Sequence, residues 1–309
     1  MSAQHLTLRP GLTAVITGAA SGFGLELARL GAKQGLNLVI TDVQQDALDA
    51  AYAELTGMGA KVAAVRGDVS RAEDVQALAD LCLERFGVPH IVINNAGVAH
   101  GGLIWEHTQR DWEWVLGVNL FGVVHGVRVF TPLMLEAAGK DASYQGHIVN
   151  VASMAGLLNS PNMGAYNVSK HAVVSLSETL YQDLSLVTEQ VHASVLCPYF
   201  VPTGIHQSHR NRPKELRSEG KPTASQMIAQ VMSTKAVTSG KVTAADTAQL
   251  VFDAIGQGKF YVYTHPQALG MVQTRLEDVV QGRNPTDPFA GKPEIGQQLR
   301  AALKQVAQG

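Results

Sequence analysis

A doubly wound parallel α/β sheet is predicted by three features of the sequence. Short apolar runs alternate with longer helical stretches from residue 12 to residue 198. The runs are continuously apolar, as strands buried on both faces are. A glycine-rich turn follows the first run directly, and later runs end in small polar residues. Successive strands joined by helix-length connections pair in parallel through right-handed crossovers. About seven strands are expected in one domain over 1–265. Residues 266–309 are read as an extension packed on that core or on a neighbouring subunit.

Residues 12–17 (LTAVIT), bounded by Pro10-Gly11 and Gly18, read as the first strand. GAASGFG follows and leads into a helix with Leu25, Ala28 and Ala32 at helical spacing and Gly35 as its stop. A strand, a glycine turn and a helix N-terminus together form an anion site: glycine lets the backbone approach, and the free N–H groups face the ligand. LNLVITD is the second strand and ends at Asp42, 18 residues after Gly24. A carboxylate there can accept hydrogen bonds from a cofactor ribose and repels a 2′-phosphate. With no Arg or Lys at Ser21 or Val43, nothing nearby invites that phosphate. Asp42 with Gln45 also reads as a capping box for the next helix, and both roles can hold together.

KVAAVRGDV gives a third strand. Residues 71–87 form an amphipathic helix carrying Val75, Leu78, Leu81, Cys82 and Phe86. PHIVINNAG is the fourth strand and runs into Asn94, Asn95 and Gly97. Asp68 reads either as an adenine ligand or as a turn former. Residues 112–137 are one long helical stretch whose apolar spacing Asn119 interrupts. Such a residue either hydrogen-bonds the backbone or bends the helix and holds a water. GHIVNVAS is the fifth strand, 161–187 a long helix, VHASVLCP the sixth strand, 244–255 a helix and KFYVYT the seventh strand. Residues 204–240 read as a polar, basic loop with short helical pieces that closes over the site. Its cluster of Arg210, Arg212, Lys214, Arg217 and Lys221 reads as a solvated surface, or as the holder of an acidic substrate. Two weak helices flank GRNPTDPFAGKP in the last stretch.

Composition narrows the classes. Hydrophobic residues make up 46% and charged residues 16% of 309, which suits a buried core and not a disordered chain. A net charge of −2 gives no electrostatic case for nucleic acid or an acidic membrane. No signal peptide and no run long enough to span a bilayer is read. Cys82 and Cys197 read as two buried thiols, which suits a reducing, cytoplasmic setting. Eleven scattered histidines show no metal-ligand spacing, so no metal is expected.

The chemistry concentrates in residues 149–170. Ser153 ends an apolar run, and Tyr166 precedes Lys170 by one helical turn, on the same face. A phenol beside an ammonium is expected to have a lowered pKa and to move a proton to or from an alcohol or ketone oxygen, with the serine holding that oxygen.

These motifs together resemble the short-chain dehydrogenase/reductases of the Tyr-x-x-x-Lys branch: TGAASGFG, Asp68-Val69, NNAG, Asn119, Ser153, Tyr166, Lys170 and PYFVPT, over about residues 10–265. The resemblance implies reversible oxidation of a secondary alcohol by NAD, with NADP less favoured because of Asp42. It implies that Tyr166 is the general acid/base, that Lys170 lowers its pKa and binds the nicotinamide ribose, that Ser153 holds the carbonyl oxygen and that Asn119 holds a relay water. The implied cofactor cleft is Gly18, Ser21, Gly22, Phe23 and Gly24; Asp42, Asp68 and Val69; Asn95, Ala96 and Gly97; Tyr166 and Lys170; and Pro198, Val201 and Thr203. It also implies a homodimer or homotetramer packed through the helices bearing Asn119 and Tyr166. Tyr199, where the family usually has glycine, and the tail beyond residue 265 depart from the pattern. An apolar pocket is expected from Leu103, Trp105, Met154, Leu157, Leu158, Met163, Tyr199 and Phe200, for a hydrophobic alcohol or ketone. A ketoacyl-type NADPH reductase and a non-catalytic dinucleotide-binding protein are the competing readings.

Overall fold

Seven short strands form one parallel sheet in a computed structural model that describes residues 5–217 and 220–306. They are β1 (Thr13–Thr17), β2 (Asn37–Asp42), β3 (Val62–Arg66), β4 (Ile91–Asn94), β5 (Gly146–Val151), β6 (Val191–Cys197) and β7 (Tyr261–Tyr263), in the order β3-β2-β1-β4-β5-β6-β7. All seven were legible as apolar runs. The helices are α1 (Gly22–Lys33), α2 (Gln45–Gly57), α3 (Ala72–Phe86), α4 (Gln109–Leu116), α5 (Gly122–Lys140), α6 (Gly164–Val187), α7 (Ala224–Thr238), α8 (Ala244–Gln257), α9 (Leu269–Val280) and α10 (Pro293–Val306).

Strand side chains point alternately to the two faces. Ala14, Ile16, Leu38 and Ile40 face a core shared with α1, α2 and α8. Val15, Val39 and Val92 face the core under α3 and α5. Both faces are covered, which is why the strands are apolar throughout. The winding reverses between β1 and β4, and the carboxyl ends of these two strands open a crevice there.

The structure corrects several expectations. The helical run around Asn119 extends over 109–140, but Gly117–Phe121 is a π turn that divides it. A residue whose side chain is drawn sideways into the protein loosens the helix in this way. That run is also long and apolar enough to cross a membrane by length and composition, contrary to expectation. One side of it is turned inward: Val123, Val129, Phe130 and Met134 are buried inside the protein. The capping box of Asp42 with Gln45 does not form. Asp42 accepts from the Gln44 N–H, and Gln45 bonds Asp49 instead. Residues 204–240 are more ordered than read, with two short 3₁₀ turns and the 15-residue helix α7; residues 218 and 219 lie outside the described residues. A capping box, Thr223 with Gln226, opens α7 and was a readable signal. Periodicity hid the helix, because Met227 and Val231 on it are exposed while Ala229 and Val237 are buried.

Candidate active site

The glycine turn leaves β1 with Gly18 and Gly22 at positive φ, +63° and +53°, where L side chains are strained. Gly24 lies behind them. A Cβ there would overlap the Gly18 carbonyl and come within 2.7 Å of Asn95 Nδ2. Gly24 therefore does not line the cleft as expected; it lets α1 seat tightly against β1, so the helix N-terminus reaches the crevice. Ser21 caps α1 without a side-chain bond to it, and no acidic residue stands in the first turn, so the end of the helix dipole stays available to an anion. Thr17 Oγ1 accepts from Asn95 N and Ala96 N at 3.0 and 3.1 Å, and Asn95 Nδ2 donates to Thr17 O at 2.8 Å. The loop after β4 is thus fixed to the glycine turn.

Asp42 Oδ2 accepts from Ala20 N at 3.1 Å, which turns the carboxylate toward the glycine loop. The absence of a basic neighbour does not hold in space. Arg66 is the ladder partner of Asp42, and its Nε donates to Val43 O at 2.9 Å. Only strand register reveals that. Asp68 makes the turn reading concrete: its Oδ1 accepts from Ser70 N and Oγ, at 2.9 and 2.7 Å. Its side chain still borders the cleft beside Val69, Phe23, Ala96 and Gly97. Pro198, Val201 and Thr203 form the opposite wall; Thr203 would sit 3.4 Å from a Cβ on Gly22. A cleft with a glycine floor, a free helix N-terminus and a carboxylate at one end fits a dinucleotide.

At the other end, Ser153 follows β5 and caps a short turn, accepting from Ala155 N at 3.1 Å. Tyr166 is in the first turn of α6, and Lys170 follows one turn on. Both are buried. Lys170 Nζ donates to Val151 O at 2.9 Å and stands 5.9 Å from the centre of the Tyr166 ring. The expected lowering of the phenol pKa is not what this arrangement produces. Burial pushes Tyr166 up, with the Ser153 hydroxyl as the offset. Burial also pushes Lys170 down, to about 8. Desolvation penalises both charged forms, and the lysine is drawn to a carbonyl instead of the phenolic oxygen.

Asn119 is fully buried and does not line the cleft. Its Oδ1 accepts from Val98 N at 2.8 Å, and Nδ2 donates to Val98 O at 2.9 Å and to Ser169 Oγ at 3.0 Å. Both amide protons are committed, so the side chain clamps the post-β4 loop to α6. The side chain of Asn119 thus has a positioning role.

The apolar half of the cleft contains Met154, Leu158, Met163, Tyr199 and Phe200, as expected. Leu103, Trp105 and Leu157 do not line it. Trp105 is 76% exposed, and Leu157 packs into a core cluster with Met154 and Val173. Sequence reading missed Ile205, Leu216, Ala229, Met232 and Phe289, which come from the lid and the tail. The lid is fastened: Asn162, in the left-handed conformation that asparagine tolerates, donates to Ser225 O at 2.9 Å, and Ala99 N donates to Ser208 Oγ at 3.0 Å.

Arg212 is not the solvated charge that was expected. It bonds the buried Asp111 at 2.6 Å and lies 5.0 Å over the Trp114 ring. His100 reaches the same carboxylate oxygen at 3.2 Å, and His107 completes a group of three potential metal ligands within 4.8 Å. The other carboxylate oxygen accepts from Thr108. Although burial opposes it, hydrogen bonds from His100 and Thr108 hold the Asp111 carboxyl well below its usual range. An arginine on the carboxylate disfavours a cation, so the group reads as a latch between lid and α4. Arg212→Ala should cost about 3–5 kcal/mol in urea unfolding, because Asp111 would stay buried and lose its guanidinium.

A dinucleotide cleft that ends at a buried tyrosine and lysine beside a half-buried serine defines an oxidoreductase of the Rossmann type. The chain belongs to the short-chain dehydrogenase family: residues 12–214 match the profile described as "short chain dehydrogenase". Its fold is similar to a short-chain dehydrogenase/reductase from Burkholderia phymatum in complex with NAD, with TM-score 0.89 and 52% identity, covering 92% of this chain and 100% of that one. It is 34% identical over 270 residues to a CLA biosynthesis dehydrogenase/reductase of Lactiplantibacillus plantarum, covering 86% of this chain and 92% of the relative. It is 35% identical over 278 residues to a 1-deoxy-11-beta-hydroxypentalenate dehydrogenase of Streptomyces exfoliatus, covering 89% and 90%.

Proposed function

We propose that this chain interconverts a hydrophobic secondary alcohol and its ketone with NAD, and that Tyr166 is the general acid/base. The observation that carries the reading is the convergence of Tyr166, Ser153 and Lys170 at the carboxyl edge of the sheet, where a glycine-floored cleft meets an apolar one. NAD, bound in that cleft, would accept the hydride in oxidation and return it in reduction. The Ser153 hydroxyl orients the substrate oxygen. Tyr166 takes or gives the proton on that oxygen, and Lys170 supplies positive charge beside it. Gly18 and Gly22 let the backbone approach the diphosphate, and Asp42 receives the adenosine ribose hydroxyls. Val69, Ala96 and Val201 wall the cleft. The NAD complex of the Burkholderia relative supports the cofactor choice, and the 1-deoxy-11-beta-hydroxypentalenate dehydrogenase supports a carbon-bound hydroxyl as the group that reacts.

Several further points belong to the same proposal. Residues 1–265 act as the catalytic domain and 266–309 as an appendage to it. The chain works in the cytoplasm with its two buried thiols reduced. It assembles as a dimer or tetramer through the helical run bearing Asn119 and through α6, where Phe121, on the first, and Val168 and Tyr181, on the second, are exposed.

The test is NAD reduction across neutral cyclic alcohols, aryl alcohols, hydroxysteroids, sugars and hydroxy acids, each repeated with NADP. Activity should be confined to the apolar members. NAD should be favoured by roughly tenfold or more in kcat/KM, because the Asp42 carboxylate repels a 2′-phosphate. Activity on sugars or hydroxy acids alone would overturn the apolar reading. A preference for NADP would show that Arg66 outweighs Asp42.

A further inference from the structure

The tail between α9 and α10 is polar and exposed, with one exception. From residue 281 to residue 294 every side chain is exposed except Phe289, which is half-buried. Phe289 borders the apolar half of the cleft, together with Met232 and Ala236 of α7. The contact is built rather than incidental. Asp278, itself buried, accepts from Thr286 N and from Arg283, each at 2.9 Å, and so fixes the turn that leaves α9. Asp287 accepts from Phe289 N at 2.9 Å and pairs with Arg300 on α10 at 3.0 Å. A Cβ on Gly296 would come within 3.1 Å of the Phe289 ring, so α10 presents glycine where the ring packs. Helix α10 lies against α7, and Leu299 is buried.

We infer that Phe289 is a specificity-determining residue: the C-terminal extension completes the substrate pocket and receives the distal, apolar part of a long substrate. This rests on the alcohol dehydrogenase reading above and adds to it the size and character of the substrate. The reacting carbon must lie by Tyr166 and Ser153. A substrate that also meets Phe289 reaches the part of the cleft lined by Met232 and Ala236 of α7. Aromatic side chains in the lining, Tyr199 with Phe200 at 4.2 Å between ring centres and Phe289 from the tail, suit a substrate with a ring or a fused ring system at its far end. A short alcohol gains nothing from Phe289.

The experiment uses the full chain with NAD and two alcohols that share a reacting carbon, 1-phenylethanol and 1-(biphenyl-4-yl)ethanol. The readout is the ratio of kcat/KM, long over short. Phe289→Ala should lower that ratio about tenfold, mainly through KM of the long alcohol, and Phe289→Leu should restore part of it. Val280→Ala, an exposed tail residue outside the cleft, should leave the ratio alone. An unmoved ratio in Phe289→Ala, or an equal loss on both alcohols, overturns the assignment and leaves the tail a mere prop for α7. Binding of 4-acetylbiphenyl to the NADH complex, followed by calorimetry, decides the same question without turnover. Weaker binding in Phe289→Ala supports the inference, and equal binding or none refutes it. Should the native chain bind the ketone more tightly than Phe289→Ala but oxidise neither alcohol, the function reading falls while the role of the tail stands.

Discussion

Tyr166→Phe is expected to lower kcat/KM for alcohol oxidation about a thousandfold while NADH still binds. The substitution deletes one hydroxyl and keeps the ring that packs at the start of α6. Tyr166 is only 9% exposed, so no bulk water replaces its hydroxyl as proton acceptor. Titration of NADH fluorescence checks binding, and single-turnover oxidation checks chemistry. Rates within a few-fold of the native chain would remove Tyr166 from the mechanism. The pH dependence follows from the same environment. Burial raises the Tyr166 pKa, so the phenol is protonated at neutral pH. Oxidation needs the phenolate, so its rate should rise by about tenfold per pH unit below that pKa; reduction needs the proton and should fall above it. Lys170 loses its own charge near pH 8, inside the rising limb for oxidation. Lys170→Met should therefore remove the inflection near pH 8, leave the limb above it in place and weaken NADH binding.

What was readable in the sequence is what short spacing encodes. The glycine turn, the small residues after β4 and the pair Tyr166 and Lys170 all work through neighbours within a turn or a strand end. The parallel sheet followed because connections of helical length join its strands. The misreadings have a common cause. Arg66 meets the chain beside Asp42 through a ladder between β2 and β3, and Arg212 finds Asp111 from 101 residues away. Lys170 looked like a partner for the phenol, yet a carbonyl on β5 competes for it. Asn119 signalled a local break correctly, but its partners, Val98 and Ser169, lie on other elements. Phe289 gave no signal, because one phenylalanine in a polar stretch has no period. Its meaning comes from where α10 docks.

Gly24→Ala should abolish detectable NADH binding and lower stability, although it adds a single methyl group. A helix normally gains from this exchange, by about 0.5–1 kcal/mol, because alanine has less backbone freedom to lose. Gly256, in α8, would have nothing within 4 Å of an added methyl group and should show that gain. At Gly24 the methyl meets the Gly18 carbonyl and Asn95 Nδ2. Neither is a flexible side-chain end: Gly18 belongs to the turn, and Asn95 Nδ2 donates to Thr17 O and Gly18 O. To make room, α1 must move away from β1, which withdraws its N-terminal N–H groups from the crevice. It must also break the hydrogen bonds that tie the glycine turn to the post-β4 loop. The stability loss from overpacking is about 1–3 kcal/mol. Thermal melts and NADH titrations of both variants separate the two effects. A Gly24→Ala protein that melts near the native temperature and binds NADH normally would mean that the glycine turn does not need this contact, and that the cofactor is held elsewhere.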